Sequence, residues 1–322
     1  MQTRPKVAVF GSHPLLTVTV ETLDGADDVH LHAGGQGVWV ARMAGELGAT
    51  PILCGFAGGE TGAILRPLLD ALPGEARLAE TATASGSYVI DRRSGDRRLV
   101  AQASAAAPSR HELDGLISTT CAAALESDVL VVCNPYPGDT LPLEVYGNLV
   151  ADVRANGTPV LVDLSTPRLD SALEGRPDIM KLNDWELAEY VTGPVGEPDQ
   201  LRGAAERLVA AGAGAVVVTR AGDPAFVLRD GETFEIVPPR FERGSREGCG
   251  DSMAGGIAAG LARGLGFEDA LVLGAAAGAA NFLRHGLGTG SREVVESLRE
   301  RVVVQASPAQ SRPKLSTASQ SV

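Results

Sequence analysis

Cysteine is scarce in this 322-residue chain: Cys54, Cys121, Cys133 and Cys249 form no CxxC pair and no ligand-like spacing. A disulfide framework or a cysteine-bound zinc site is therefore not expected. Positive charge is short as well. Lys and Arg number 28 against 40 Asp and Glu, a formal net charge of −12, so there is no general attraction to nucleic acid or to an anionic membrane. Long apolar runs are missing: the longest weakly polar stretch, residues 270–283, is too short to span a bilayer and contains Asn281. The opening MQTRPKVAVF is basic and then apolar, but GSHP follows without the apolar stretch of a signal peptide. A soluble, cytoplasmic protein is the expectation. Two nucleotide-binding signatures are also absent. GxxxxGK[ST] occurs nowhere, and the first strand, residues 7–10, runs into Gly11-Ser12-His13-Pro14 rather than GxGxxG.

What the chain has in quantity is glycine, 39 residues, many in short clusters at junctions between expected strands and helices, where a backbone has to pass close to something. Apolar residues at 44% and charged residues at 21% are ordinary for a globular protein. The length allows one large domain or two smaller ones.

From residue 125 onward strand and helix alternate. Residues 129–132, 160–162, 179–182 and 215–218 are short apolar runs that read as buried strands. Helices are expected over 143–155, 184–191 and 199–211, the first stopped by Asn156-Gly157 and the last by Gly212. Apolar rather than alternating strands between helices argue for an α/β fold, a parallel sheet covered on both faces, with ligands at the carboxyl ends of its strands. Residues 17–22, 29–32 and 87–102 instead alternate, the last folding back around Arg93-Ser94-Gly95-Asp96. They read as antiparallel strands inserted over the site. The expected organisation is an α/β core of residues 1–12, 33–82 and 103–304, a small β lid of residues 13–32 and 83–102, and a tail, 305–322, that composition assigns to disorder.

Four segments could carry chemistry. In Gly248-Cys249-Gly250-Asp251-Ser252, glycines precede a helix that begins near Gly250, since Met253, Ile257 and Leu261 recur at helical spacing. Bare N–H groups and the helix dipole there suit an anion, and Asp251 in the first turn suits a general base beside a bound phosphate. It equally suits a plain first-turn charge. Gly34-Gly35-Gln36-Gly37-Val38-Trp39 also runs from glycines into a helix, and Gly58-Gly59-Glu60-Thr61-Gly62 follows strand 52–56. Asn183 and Glu186, three apart across a strand-to-helix turn, can face one ligand or metal-bound water, or simply form a capping box, the reading favoured for the pair alone.

Together these residues resemble the PfkB/ribokinase family of carbohydrate kinases, closest to its phosphofructokinase-like (1-phosphofructokinase/tagatose-6-phosphate kinase) branch. Residues 34–41 resemble that family's GGKGxNVA signature, 248–252 its GAGDS signature and Asn183-x-x-Glu186 its NxxE element. Asn134-Pro135-Tyr136-Pro137-Gly138 and residues 286–290 are smaller echoes, and the order agrees across roughly residues 5–300. The resemblance implies a ribokinase-like doubly wound, mostly parallel sheet and transfer of the ATP γ-phosphoryl group to a sugar-type hydroxyl. Asp251 is then the base. Gly248, Cys249 and Gly250 form the anion hole. Asn183 and Glu186 steer Mg2+, through water. Thr219, Arg220, Gly222 and Arg246 lie on the ATP side, and Gly34, Gly35, Gln36 and Trp39 on the substrate side. The partner is a small sugar-like molecule rather than nucleic acid or membrane, and the lid is a homodimer contact.

The departures lie mostly on the substrate side. The family's signature lysine is Gln36, which carries no charge to meet a sugar phosphate. Trp39 replaces a polar clamp, and Ser12 to Thr17 hold no acid where the family has an aspartate. An unphosphorylated acceptor is accordingly expected. A catalytically impaired ligand-binding or regulatory protein is the alternative. A phosphosugar kinase ranks third, because it needs another cation, and Arg92, Arg93, Arg97 and Arg98 on the inserted hairpin are the local candidates. Arg246 replaces a small or hydroxyl residue, near enough to supply transition-state charge or to block ATP. Cys249 fills the family's alanine position at a helix start, where a thiol pKa can be lowered. His30 and His32 share a strand face and, with His13, invite a metal reading that no spacing supports.

Overall fold

The apolar runs form the middle of a single large sheet. The computed structural model describes residues 4–135, 140–284 and 289–308. Among them a ten-stranded sheet runs, edge to edge, Val303–Ala306 (β14), Glu232–Val237 (β13), Asp223–Arg229 (β12), Ala215–Arg220 (β11), Ile179–Asn183 (β10), Val160–Asp163 (β9), Val129–Cys133 (β8), Lys6–Phe10 (β1), Thr50–Gly58 (β4) and Glu75–Thr81 (β5). Every pairing from β11 to β5 is parallel. The central strands are buried on both faces, which is why their sequences do not alternate. In β8, Val129 and Val131 enter one core while Leu130 and Val132 enter the other.

The first core is covered by the helices Gln36–Glu46 (α1), Gly59–Asp70 (α2), Cys249–Ala262 (α8), Phe267–Phe282 (α9) and Arg292–Arg299 (α10). The second is covered by Arg110–Leu125 (α3), Glu144–Ala155 (α4), Arg168–Glu174 (α5), Asp184–Val191 (α6) and Pro198–Ala211 (α7). Small residues let α8 approach its neighbours closely. A Cβ on Gly255 would lie 2.7 Å from the Val40 carbonyl of α1, and one on Gly256 would lie 2.8 Å from Gly274 Cα of α9. This contact brings the first turns of α1 and α8 together at the carboxyl ends of β8, β9 and β10.

A second sheet has the order Ala26–Gly34 (β3), Leu15–Leu23 (β2), Ser87–Asp91 (β6) and Arg98–Ala103 (β7). β2 and β3 form an antiparallel hairpin closed by Asp24 and Gly25, both at positive φ, as a tight hairpin turn requires. β6 pairs parallel to β2, and β7 antiparallel to β6.

The structure differs from the sequence expectation at one end of the large sheet. β12, β13 and β14 extend it in antiparallel fashion. The turn between β12 and β13 is Asp230-Gly231, both at positive φ, a hairpin signal that stood in the sequence. β14 also takes in Gln305 and Ala306, which composition assigned to the tail. Gln305 pairs with Glu235 in register, and its Nε2 donates to Glu235 Oε2 at 2.9 Å. The expected turn at 134–138, the segment 286–290 and the tail extend into residues 136–139, 285–288 and 309–322, which lie outside the described residues. No helix among the described residues is long and apolar enough to cross a membrane.

Candidate active site

A cavity of about 430 Å³ opens between the inner face of the small sheet and the first turns of α1 and α8. Thr17, His32, Tyr88 and Arg92 line it from the small sheet, and Gln36, Trp39 and Asp251 from the helices. Two glycines shape its floor. Gly35, the residue before α1, has φ +102, and a Cβ on Gly34 would stand 2.6 Å from Thr17 Oγ1. Trp39 is almost buried, its ring 6.0 Å from that of His32 and covered by the Arg42 guanidinium at 5.0 Å.

At the other glycine cluster Gly248 precedes α8 in the left-handed conformation, φ +73. The helix begins one residue before the expected Gly250, and its first internal bond is from Ser252 N–H to the Gly248 carbonyl at 2.9 Å. The N–H of Cys249 donates to the Arg246 carbonyl at 3.3 Å. The other first-turn amides have no helical acceptor, as at any helix start. Asp251 sits in this turn, at the wall of the cavity. Burial lifts its carboxyl to about 7, with the Asp163 charge adding to the effect and Lys181 and a hydrogen bond from Gln36 opposing it. A carboxylate poised there is matched to removing a proton near neutral pH.

Beneath Asp251 lies a pair that local patterns did not reveal. Lys181 Nζ donates to Asp163 Oδ2 at 2.7 Å, and both residues are buried. Burial alone would lower the ammonium pKa, but Asp163 beside it, with Glu186 and Asp251, reverses this, and the net direction is upward. Gly250 passes directly over this ammonium, 3.4 Å from where its Cβ would be. The available signal was a charged residue closing one short apolar run, VLVD, and another within IMKLN, positions that charged residues seldom occupy buried without a partner.

Asn183 and Glu186 form a complete capping box. Asn183 Oδ1 accepts from Glu186 N–H at 2.8 Å, and Glu186 Oε2 accepts from Asn183 N–H at 2.9 Å. The capping reading is therefore realised. Even so, burial and the nearby Asp163 push the Glu186 carboxyl upward, so the pair also belongs to the charged centre under Asp251. No group of three or more potential ligands gathers among the described residues. The Asp163 charge nonetheless raises both the Glu186 and the Asp251 carboxyls. Such a sparse carboxylate set fits Mg2+, which keeps waters and takes ligands from substrate phosphates.

The remaining expected residues divide clearly. Thr219 Oγ1 donates to the Leu182 carbonyl at 3.4 Å. Arg220 is committed to its hairpin, donating to the Pro224 carbonyl and to Glu235 Oε1, each at 2.7 Å. Gly222 faces open space. The Arg246 guanidinium has no hydrogen bond or ion pair among the described residues. Cys249 is not an activated thiol, in keeping with its reading as a small residue at the alanine position. Burial raises its pKa, and its Sγ is turned to the Ser245 carbonyl at 3.4 Å. His30 and His32 do share a face and line the cavity. His13 is elsewhere, buried between Ser12 Oγ and Thr140 Oγ1 at 3.0 Å each.

Of the four hairpin arginines, Arg93 and Arg98 turn away to Asp91. Arg92 and Arg97 line the cavity, and both reach Glu247 Oε2, at 3.3 and 3.4 Å. Glu247 immediately precedes Gly248, so this contact ties the small sheet to the start of α8.

Comparison with known proteins accords with this geometry. Residues 5–293 match the pfkB family of carbohydrate kinases. The chain is 32% identical over 257 residues to the 1-phosphofructokinase of Rhodobacter capsulatus, covering 75% of this chain and 78% of that protein. It is 30% identical over 257 residues to the ATP-dependent 6-phosphofructokinase isozyme 2 of Escherichia coli K12, covering 79% and 82%. The crystal structure of Escherichia coli phosphofructokinase-2 with fructose-6-phosphate superposes with a TM-score of 0.79 at 25% identity, over 93% of this chain and 99% of that one. A family match spanning most of the chain, with relatives of this similarity, makes it a member of the pfkB family of carbohydrate kinases, phosphotransferases that act on an alcohol group.

Proposed function

We propose that the protein transfers the γ-phosphoryl group of ATP to a hydroxyl of a sugar phosphate, as a kinase of the phosphofructokinase type. The observation that carries this reading is the presence of Arg92 and Arg97 in the same cavity as Asp251. The expectation of an unphosphorylated acceptor rested on the uncharged Gln36, and it is not supported once the cations enter from the hairpin instead. A single carboxylate oxygen of Glu247 serves both guanidiniums, and a dianionic phosphate ester is a better partner for two forked donors. The relatives named 1-phosphofructokinase and 6-phosphofructokinase support the same class. Family membership and an acidic residue poised at the anion loop disfavour a purely ligand-binding role.

In this reading Asp251 accepts the proton of the acceptor hydroxyl as that oxygen attacks, and the amides of Gly248 and Gly250 face the charge of the transferring group, while that of Cys249, expected beside them, is taken by the Arg246 carbonyl. Lys181 contributes a buried positive charge beneath them. Arg246, Thr219 and Gly222 are assigned to the ATP side. Arg220 is assigned instead to holding the β11–β12 turn in shape. Asn183 and Glu186, with Asp163, would hold Mg2+ through water, and the ion would neutralise phosphate charge. The small sheet excludes water from the cavity, favouring transfer over hydrolysis.

The test is ADP release with Mg-ATP on fructose 1-phosphate, fructose 6-phosphate, tagatose 6-phosphate and the free sugars. Turnover confined to the free sugars would overturn the reading. Arg92→Met and Arg97→Met are each expected to raise KM for the phosphorylated acceptor about 10- to 100-fold, the cost of a charged hydrogen bond, with little change on a free sugar. The outer face of the small sheet carries Val29 and Leu31, more than half exposed, on the side opposite His30 and His32. We assign this face to a homodimer contact. Leu31→Glu is expected to convert the dimer to a monomer in light scattering, whereas an unchanged mass would remove the assignment.

A further inference from the structure

Two histidines line the cavity from the small sheet, and their settings differ. His30 Nε2 meets Asp28 Oδ2 at 2.9 Å. His32, two residues on, also lines the cavity but has no hydrogen bond or ion pair among the described residues. Its place in the sheet is fixed. His32 stands opposite Thr17 of β2, and Thr17 stands beside Tyr88 of β6, so the three form one row across the sheet, facing the cavity. The imidazole lies against the Trp39 ring, 6.0 Å between centroids. Trp39 is itself held: the Arg42 guanidinium covers it at 5.0 Å, and a Cβ on Gly34 would stand 3.3 Å from its Cζ2. His32 is thus a polar ring set in position at the cavity wall with its nitrogens available, the arrangement by which a site recognises a polar group of its ligand.

The chemistry of that group follows from the ring. Burial, then the Arg42, His30 and Arg92 charges, push the His32 pKa down to about 4, with Glu21 opposing. Near neutral pH the imidazole is therefore uncharged and presents one N–H donor and one acceptor lone pair. A hydroxyl, which both donates and accepts, is its match. In the proposed reaction Arg92 and Arg97 meet the phosphate and Asp251 the reacting hydroxyl, so another acceptor hydroxyl has to be met by uncharged groups. Trp39 supplies at most one N–H, and Leu15 and Ile90 supply none from their side chains. We propose that His32 is a specificity-determining residue: its imidazole, held against Trp39, hydrogen-bonds a non-reacting hydroxyl of the acceptor, so that the protein distinguishes this acceptor from the corresponding deoxy sugar. The proposal rests on the phosphoryl-transfer reading for its acceptor, and its test separates the two.

The experiment has two readouts on the full chain. The first is the ring 15N signals of His32, assigned with His32→Phe, as fructose 1-phosphate, fructose 6-phosphate, tagatose 6-phosphate or the free sugars are added. The second is kcat/KM on the best of these acceptors and on its derivatives that each lack one non-reacting hydroxyl, for wild type, His32→Phe and His32→Gln. His32→Phe keeps a ring against Trp39 and removes both nitrogens. Wild type is expected to use one deoxy derivative about 10-fold less well than the parent, the contribution of one neutral hydrogen bond, and His32→Phe to use the two equally. His32→Gln, which retains a donor and an acceptor, should restore part of the preference. A merely structural role would lower kcat/KM for every acceptor by the same factor and keep the wild-type preferences. That result overturns the proposal, as does binding of an acceptor that leaves the His32 signals in place. Signals that move with the free sugars alone would overturn the phosphorylated acceptor and leave His32 as the reader of a hydroxyl. If none of the compounds is bound or turned over, both readings fall.

Discussion

Asp251→Asn is expected to lower kcat by about 10²–10⁴-fold, the range that general-base catalysis contributes, while leaving ATP affinity nearly unchanged. Wild-type kcat/KM should rise with pH and level off above about 7, because burial and the neighbouring carboxylate hold the Asp251 proton up to that value. Below it the base is protonated and cannot accept. In the variant the residual rate should lose this limb. The sign for stability is the reverse of that for activity. The folded pKa lies above the unfolded value of 3.8, so ionising Asp251 works against the fold as pH rises from 3.8 through about 7. Asparagine is therefore expected to hold or raise the melting temperature at pH 8. A variant equally active with the sugar phosphate would remove the mechanism, and one with a much lower melting temperature would show that the rate loss is structural.

The second large effect is on folding. Lys181 and Asp163 are 3% and 4% exposed and joined at 2.7 Å. Lys181→Met leaves a buried carboxylate without its partner and is expected to cost about 3–5 kcal/mol in urea unfolding. The double change Lys181→Met with Asp163→Leu should recover most of that stability, because a buried pair replaced by apolar side chains of similar volume is often near neutral. It should not recover turnover, since the positive charge beneath the anion loop is gone. Equal stability of wild type and the single variant would show that water reaches the pair and that it is not a buried ion pair.

The features legible in the sequence are local ones. Strands such as VLVVC and IMKLN declare themselves by apolar runs, and α8 by the recurrence of Met253, Ile257 and Leu261 behind a glycine cluster. The lid hairpin shows in its alternation and in the turn after Arg93. Asp251 could be singled out because its setting, glycines before a helix start, is written in neighbouring residues. What was not legible depends on contacts between distant parts of the chain. Nothing near Gln36 says that its amide meets Asn134, or that the arginines of the lid converge on Glu247. The missing signature lysine therefore suggested an uncharged acceptor, although Arg92 and Arg97 line the same cavity from a distant part of the chain. The antiparallel strands β12 to β14 are a different kind of omission. Asp230-Gly231 marked the turn, but the regular strand–helix rhythm before it outweighed a two-residue signal.

The small-residue seam that presses α8 against α1 and α9 makes the two halves of the site unequal mechanically. Where a glycine Cα and a carbonyl stand closer than a methyl group allows, there is no side chain to change rotamer and no slack to slide into. The helix bearing Asp251 is consequently a fixed jaw. The four-stranded sheet opposite is thin, has two edge strands, and is tied to that helix through the Glu247 carboxylate. Under the proposed function, closure over the acceptor and its release would be movements of that sheet, with α8 as the reference against which they occur.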